Sequence, residues 1–197
     1  KILLGGDVPA IDRVPYINFT RLNRDGTLDT GFVPGLILDH PVFALAVQSD
    51  GKILAGGGTN APGISARNVL VRFEPNGKVD GTFRLDPQFL APLTDGISCL
   101  FVQSVALQAD GRIVIGGNYQ CSPNGLIQPA LRLESDGRVQ TTFNPGTRLA
   151  GFVRAIAVQP DGKVVIGGGP FVPVDGVTPN LVFRFNTDAS LDSGFLP

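Results

Sequence analysis

Apolar and polar residues alternate in short runs along this chain, and each run stops at a cluster of turn-forming residues. The stretch AVQPDGKVVIGG, residues 157–168, shows the pattern well: an alternating run, a Pro-Asp-Gly break, and a β-branched run that ends in two glycines. Alternation with a period of two predicts β-strands, which β-branched residues also favour. Pro-Asp-Gly suits a three-residue hairpin turn, because proline opens a type I turn and glycine accepts the left-handed position. The pattern predicts an all-β fold made of hairpins.

The same phrase recurs along the chain in degraded copies. AVQSDGKILAGG occupies residues 46–57, ALQADGRIVIGG occupies residues 106–117, and the chain opens with the second half of the phrase, KILLGG. A second phrase follows each copy and ends at a phenylalanine, at Phe32, Phe83, Phe143 and Phe195. These phenylalanines are 51, 60 and 52 residues apart, and the long interval carries about nine extra residues. Repetition at a period of about 50 residues indicates a repeat architecture.

Each unit contains four predicted strands, A to D, which in the last unit cover residues 153–159, 163–168, 180–186 and 190–195. Four-stranded units at this period are typical of the blades of a β-propeller. Strand C of the last unit has apolar side chains on both faces, with Val182 on one and Leu181, Phe183 and Phe185 on the other. A blade between two blades needs this pattern, whereas a sheet that faces solvent does not. A β-solenoid is the alternative, but its coils are shorter and lack two hairpins per repeat.

The prediction is therefore a propeller segment of four blades, of which three are complete, at residues 42–83, 99–143 and 153–195. The first blade, residues 1–32, has strands B to D and lacks the innermost strand, A. An open strand edge invites pairing, so Lys1–Gly6 should pair with a strand A that this chain does not contain. We expect missing blades or a second copy of the chain to complete the propeller. The absence of any methionine, including at position 1, indicates a fragment or a processed form.

Charge and residue counts exclude several functions. Charged residues make up 17% of the chain and the net charge is −1, which argues against nucleic-acid binding. No apolar run approaches the roughly 18 residues of a membrane-spanning helix. One histidine, His40, and two cysteines are too few and too dispersed for a zinc site, and His40 lies in the inter-blade segment LDHPV. We expect no catalytic residue, no cofactor and no metal, and we interpret the Asp- and Asn-rich turns as hairpins instead of calcium loops.

An arginine recurs at one position of every strand C. Because the C–D turn has three residues, the numbers of facing residues add up to a constant, which fixes the residue opposite each arginine. The predicted cross-strand pairs are Arg21–Asp29, Arg72–Asp80, Arg132–Gln140 and Arg184–Asp192. Facing opposite charges stabilise a sheet by roughly 0.2–1 kcal/mol, so the predicted role is structural.

The two cysteines flank the first hairpin of the third blade. Cys99 precedes its strand A and Cys121 follows its strand B. If residues 109–111 form the turn, the residue numbers of two facing positions add up to 220. The numbers of Cys99 and Cys121 also add up to 220, so the two cysteines are predicted to face each other. Facing residues have Cα atoms roughly 4.5–5.5 Å apart, which a disulfide can bridge. We predict a Cys99–Cys121 disulfide, which would place the protein outside the reducing cytosol.

The repeated phrases resemble the delta-60 repeat, a bacterial β-propeller-like family. The resemblance rests on AVQPDGKVVIGG, GGGPFVPVDGVTPNLVFRFNTDASLDSGF and RLNRDGTLDTGFVPG, and it covers nearly all of the chain. Gln140 departs from the family pattern, which has Asp there, and Ala189 departs from a Gly. The resemblance implies part of a large secreted or surface protein of a bacterium, extracellular or at the cell surface, with the periplasm as the alternative. It implies no catalytic residue, cofactor or common substrate.

Two classes of function fit these observations. The first is a non-catalytic module for binding, adhesion or scaffolding with a protein or glycan ligand, favoured because the repeats carry no unique polar cluster. The second is a glycan-binding or hydrolytic propeller whose site lies in blade-connecting loops around residues 84–101, since long loops often carry function. That segment contains Asp86, Gln88, Phe89 and Asp95.

Overall fold

The computed structural model describes residues 1–7, 10–11, 14–15, 18–34, 40–58, 69–86, 101–118, 130–143, 149–150, 152–169, 172–173 and 181–195. Within these ranges all regular elements are β-strands, as the sequence predicted: β1 (Ile2–Gly5), β2 (Ala10–Ile11), β3 (Val14–Pro15), β4 (Phe19–Leu22), β5 (Val42–Val47), β6 (Ile53–Gly57), β7 (Leu70–Phe73), β8 (Phe101–Leu107), β9 (Ile113–Asn118), β10 (Ala130–Leu133), β11 (Leu149–Ala150), β12 (Val153–Val158), β13 (Val164–Gly168), β14 (Val172–Pro173) and β15 (Val182–Phe185). This part of the chain offers no helix that is long and apolar enough to cross a membrane.

Three antiparallel sheets repeat the same three-stranded form. Their strand orders are β5-β6-β7, β8-β9-β10 and β12-β13-β15, so strand B lies in the middle of each, between strands A and C. In a fourth sheet β1 pairs with β4, again as strands B and C. Among the described residues β1 has no partner on its other edge, where strand A lies in the other three sheets. We number these sheets as the first to fourth blades in chain order.

Strand D is shorter than the sequence predicted. In each blade it is a single antiparallel bridge, at Leu22–Leu28, Phe73–Val79, Leu133–Val139 and Phe185–Leu191. The chain turns away directly afterwards: in the second blade the Asp80 carboxylate accepts the Thr82 backbone N–H at 2.9 Å, and the Asp80 carbonyl accepts that of Phe83 at 3.2 Å. Each complete blade thus has three strands and one bridge instead of four full strands. The bridge numbers agree with the predicted C–D register.

A β-bulge interrupts strand A in every complete blade. In the third blade the facing numbers add up to 220 from Leu107–Ile113 to Ser104–Gly116, but Val102 faces Gly117, one position out of register. The same shift occurs at Val42/Ala44 and at Val153/Ala155. A bulge places two residues of one strand opposite one of the other. The register extrapolated from the turn to Cys99 and Cys121 therefore changes within β8, and both cysteines lie outside the described residues.

Packing between successive blades forms the core. One buried cluster joins the first and second blades, with Phe19, Phe32 and Phe73 among its members. A second joins the second and third blades through residues such as Leu54 and Ile115, and a third joins the third and fourth through residues such as Phe143 and Ile166. Adjacent A strands also meet, since the Ile156 backbone N–H donates to Ser104 Oγ at 3.0 Å. Both faces of the second and third blades are therefore apolar because each face packs on a neighbouring blade.

Candidate functional site

The predicted cross-strand partners of the strand C arginines lie next to them in all four blades. Arg21, Arg72 and Arg184 each donate through Nε to the facing aspartate, Asp29, Asp80 or Asp192, at 2.8, 2.7 and 2.9 Å. In the third blade Arg132 Nε donates to Gln140 Oε1. Arg72 and Arg132 are buried, at 8% and 5% exposed, which is unusual for arginine unless it is paired.

Each arginine also stacks on the phenylalanine that ends its repeat. The guanidinium carbon lies 4.4, 4.8, 4.4 and 4.5 Å from the ring centroids of Phe32, Phe83, Phe143 and Phe195. This contact was not predicted from the sequence. The signal was present, because the phenylalanine always follows the residue facing the arginine by three positions. A cation over an aromatic face is stabilised by about 0.5–2 kcal/mol, so arginine, facing residue and phenylalanine form one unit.

A third contact of the arginine reaches the next blade. Arg21 Nη1 donates to the Pro75 carbonyl at 2.6 Å, Arg72 Nη1 to the Ser135 carbonyl, and Arg132 Nη1 to the Thr187 carbonyl at 2.8 Å. These carbonyls belong to the first residue of the C–D turn in each following blade. The planar guanidinium thus joins strand C, the residue facing it and the neighbouring blade, which a flexible ammonium group could not do.

Lysines from strand B or its turn add a second cation to the aspartates. Lys52 Nζ and Lys163 Nζ lie 2.8 Å from Asp80 Oδ2 and Asp192 Oδ2, and Lys1 Nζ lies 3.2 Å from Asp29 Oδ2. Burial of Asp80 raises its pKa, but hydrogen bonds from Lys52, Thr82 and Arg72 outweigh this, so its pKa lies below the ordinary 3.8. The hydrogen bond to Asp80 raises the pKa of Lys52.

The third blade is the exception, because Gln140 stands where the other blades have aspartate. Gln140 Nε2 donates to Glu134 Oε1 at 3.1 Å, while its Oε1 accepts from Arg132. Burial, followed by the nearby charge of Arg112, lowers the pKa of Arg132. The amide keeps the geometry of the unit without a charge of its own.

The turn aspartates and asparagines bind the backbone of their own turns. Asp25 Oδ1 accepts the Thr27 backbone N–H at 3.0 Å, and the side chains of Asp50, Asn76, Asp110, Asp136, Asp161 and Asp188 accept equivalent N–H groups. The Thr27 hydroxyl also donates to Asp25 at 2.7 Å, and these bonds lower the pKa of Asp25. Among described side chains, no three His, Cys, Asp or Glu residues are grouped as a metal would require.

The pair of glycines at the end of strand B accommodates two close neighbours. A methyl group at Gly56 would lie 2.5 Å from Val102 Cγ1 of the next blade. One at Gly57 would collide with the Pro41 carbonyl of its own strand A. His40 is buried beside this carbonyl, with its Nδ1 3.3 Å from the oxygen. The glycines are therefore packing positions, and the single histidine of the sequence is buried at the start of β5.

The segment around residues 84–101 is described only at its ends. Asp86 is half-buried at one end, and Phe101 begins β8 at the other. Gln88, Phe89, Asp95 and Cys99 lie outside the described residues. The Phe101 ring centroid lies 6.2 Å from that of Phe43, whose side chain is 48% exposed at the start of β5. This end of the A strands therefore presents an aromatic pair partly to solvent.

Solved structures similar to this chain include three of low sequence identity. The extracellular domain of BT4673 from B. thetaiotaomicron, described as a one component system, has a TM-score of 0.47 and 16% identity, over 87% of this chain and 18% of that one. Selenomethionine-substituted virginiamycin B lyase from Staphylococcus aureus has a TM-score of 0.42 and 17% identity, over 78% and 41%. A catalytically inactive variant of that lyase, with quinupristin, has a TM-score of 0.39 and 16% identity, over 78% of this chain and 40% of that one. This chain thus spans less than half the length of each.

No curated protein sequence matches this chain. A family model described as a domain of unknown function (DUF5122) β-propeller matches residues 1–32, 48–83, 108–143 and 159–195, together more than half of the chain. Each matched segment ends at the phenylalanine on which the arginine of that blade stacks. The segments contain the arginines, their facing residues and the glycine pairs, so the family repeat and the structural repeat coincide. The chain belongs to the DUF5122 β-propeller family.

Proposed function

We propose that this chain is a non-catalytic module for binding, adhesion or scaffolding in a secreted or cell-surface bacterial protein. The observation that carries the proposal is that the repeated charged residues bind one another and the next blade. In three blades the aspartate that faces the arginine is bound by that arginine and by a lysine, and in three blades the arginine also binds the next blade. These groups stabilise the stack of blades, and a substrate would have to break those bonds to use them.

A ligand-binding surface is proposed where the A strands begin. Phe43 is 48% exposed, and its ring lies beside that of Phe101. Aromatic side chains are enriched in binding interfaces, and this pair borders the long inter-blade segment. We propose that this surface takes a protein or glycan ligand.

Ligand binding at this surface is tested with a glycan array and with bacterial surface proteins as probes, on the chain and on Phe43→Ala. Binding that Phe43→Ala abolishes supports the proposal. Val33→Ala is the matched control, because Val33 is 67% exposed but lies after strand D. Binding that survives Phe43→Ala, or no binding to any probe, contradicts the proposed surface.

The second candidate is a glycan-binding or hydrolytic propeller with its site around residues 84–101. The aromatic contact at Phe101 favours it, since it places one end of this segment beside the exposed Phe43. Turnover of generic hydrolase substrates that is lost in Asp86→Asn or Asp95→Asn would establish this candidate and overturn the non-catalytic one.

We propose the finer identity of a delta-60 repeat protein and an extracellular or cell-surface location, supported by the repeated phrases. The Cys99–Cys121 disulfide stays a prediction whose outcome bears on this location. Peptide mapping of the native, unreduced protein by mass spectrometry tests the disulfide. A linked Cys99–Cys121 peptide supports export to an oxidising compartment. Free alkylation of both cysteines contradicts the disulfide and removes that support.

We also propose that further blades complete the propeller. The edge of β1 that corresponds to the A-strand side has no partner among the described residues. Missing blades in the same protein or a second copy of the chain could supply one, and measurement of the chain's mass in solution distinguishes a monomer from an assembly.

A further inference from the structure

The two faces of each blade differ, and successive blades join by one rule. The back face of a blade carries the first glycine of the pair and the strand C arginine, as at Gly56 and Arg72. The front face of the next blade carries a valine of strand A, as at Val102. Each of the three blade–blade contacts between described residues places a front face on a back face.

The valine packs directly over the glycine. A methyl group built at Gly5 would lie 2.7 Å from Val42 Cγ1, and one at Gly56 would lie 2.5 Å from Val102 Cγ1. Gly116 is covered in the same way by Val153 and Ile156. Val42, Val102 and Val153 are at most 3% exposed. Each of these valines therefore fills a space on the preceding blade that only glycine leaves open.

The fourth blade has the same back face, and no other blade packs on it in the part of the chain that the structure describes. The equivalent glycine is Gly167, and a methyl group there would have only atoms of its own blade nearby among the described residues, Leu181 O at 3.9 Å and Val182 Cγ2 at 4.0 Å. Arg184 Nη1, which should reach a turn carbonyl of a following blade, lies 3.5 Å from Gln159 Oε1 of its own blade.

Exposure of the apolar residues on this face agrees with a missing neighbour. Leu181 is 67% exposed, whereas Val69, at the same position of the second blade, is 4% exposed. Val165, Val182 and Phe195 are half-buried, although the equivalent Leu54, Leu70 and Phe83 are buried. The fourth blade therefore exposes a surface that the chain buries three times elsewhere.

We propose that the back face of the fourth blade is a docking surface for a further blade of this same repeat, one that brings its own strand A. Two hollows of known shape define the occupant. The space above Gly167 fits a strand A valine, and Arg184 Nη1 is placed to donate to the carbonyl of the first residue of a C–D turn, as the other strand C arginines do. At each of the three interfaces between described blades, the following blade supplies both a strand A valine and the carbonyl of a C–D turn.

A second copy of the chain does not meet these requirements. The front face it offers is that of the first blade, where the described strands are β1 and β4 and no strand A valine is present. Its Arg24 carbonyl could meet Arg184, but Gly167 would remain uncovered. This inference rests on the proposed completion of the propeller by further blades, and it does not depend on any ligand.

The test compares the chain with a version extended at its C-terminus by a second copy of residues 144–195, which carries a complete blade with Val153. Stability in repeat proteins includes a term for each interface between neighbours, so docking should raise the midpoint of chemical denaturation. Gly167→Val should abolish the rise, because its side chain occupies the hollow. In the unextended chain the same substitution should leave the midpoint nearly unchanged, since the added atoms meet no neighbouring blade and valine favours strands.

Gly116→Val is the matched control, and it should lower the midpoint of both versions because Val153 already covers Gly116. An extended chain with no higher midpoint, or with a rise that survives Gly167→Val, would overturn the proposal. Association of the unextended chain in sedimentation, dissociated by Gly167→Val, would also overturn it and identify a second copy as the occupant. Loss of ligand binding by Phe43→Ala with an unchanged midpoint concerns only the proposed function.

Discussion

One arginine in each blade makes several directed contacts at once. Arg72 donates from Nε to Asp80 at 2.7 Å, from Nη1 to the Ser135 carbonyl and from Nη2 to the Thr82 hydroxyl at 3.3 Å, and it stacks on Phe83 at 4.8 Å. These bonds leave in different directions within one plane, which is the geometry of a guanidinium. The carboxylate opposite is held by Lys52 as well, so positive and negative groups that are largely excluded from water remain paired.

Replacement of this arginine by lysine should be costly although the charge is kept. Arg72→Lys should lower the free energy of unfolding by about 2 kcal/mol, because the hydrogen bond to the next blade and the planar stack are lost. Arg184→Lys is the matched control and should cost about half as much, since Arg184 makes no hydrogen bond to another blade among the described residues. Urea denaturation measures both, and equal losses would contradict an inter-blade role.

Acid should remove the contribution of Asp80. Its pKa is held below the ordinary 3.8 in the folded chain, so around that pH the unfolded chain binds more protons and stability rises with pH. The contribution is complete above 3.8 and is lost as the pH falls through the folded value. At neutral pH Asp80→Asn should be less stable than the natural chain, and the gap should narrow as the pH is lowered below 3.8. Denaturant titrations across the acid range measure this gap, and a constant gap would contradict the assignment.

At the scale of single elements, the three-residue hairpin turn is the recurring unit. Its last residue has a positive φ of 83° to 97° at the glycines and of 72° at Ala189. Ala189, which departs from the family's glycine, is therefore strained, because a residue with a Cβ is disfavoured in the left-handed region. The middle residue of the turn, usually aspartate, accepts the backbone N–H two positions later, which stabilises the turn.

Ala189→Gly should raise the free energy of unfolding by about 0.5 kcal/mol, since relief of the strained φ exceeds the extra flexibility of glycine in the unfolded chain. Gly111→Ala is the reciprocal substitution and should lower it by about 1 kcal/mol. A methyl group at Gly111 meets nothing within 4 Å, so its effect reports the backbone alone. Thermal denaturation of both variants gives the signs, and the same sign for the two would refute the explanation.

At the scale of the whole molecule, stability depends on contacts between blades. The apolar residues of one blade bury their side chains against the next, and the strand A valine fills the hollow above a glycine. Each blade alone is a small sheet of two or three strands, which has too little core to be stable by itself. The fold is therefore an array in which each sheet needs its neighbours.

Truncation of one interface valine should show this dependence. Val102 is fully buried between the second and third blades, and Val102→Ala should lower the free energy of unfolding by about 2 kcal/mol through lost burial and a residual cavity. Val47 lies on strand A of the second blade but is 56% exposed. Val47→Ala should therefore change the free energy of unfolding by less than about 0.5 kcal/mol. Equilibrium denaturation measures the free energy of unfolding of both variants. Similar losses in the two would contradict the conclusion that inter-blade contacts dominate stability.

The sequence by itself determined strands A to C, the hairpin turns, the C–D register and the residue opposite each arginine. It did so because these features depend on neighbours within about ten residues, where alternation, turn length and the need for a positive φ act directly. The same local reasoning predicted that Arg132 faces Gln140, in the one blade without a carboxylate at this position.

Only the tertiary structure decided the bulge in strand A, the reduction of strand D to one bridge, and the contacts of each arginine with a phenylalanine and with the next blade. The bulge lies where Pro41, Phe101 or Phe152 approaches the second glycine of the pair, a contact set by how strand A enters the blade. The arginine bonds join residues 54, 63 and 55 positions apart, so they depend on how one blade seats on another. Such contacts arise from the shapes of two packed faces, and a pattern read along one strand carries no information on the face that it will meet.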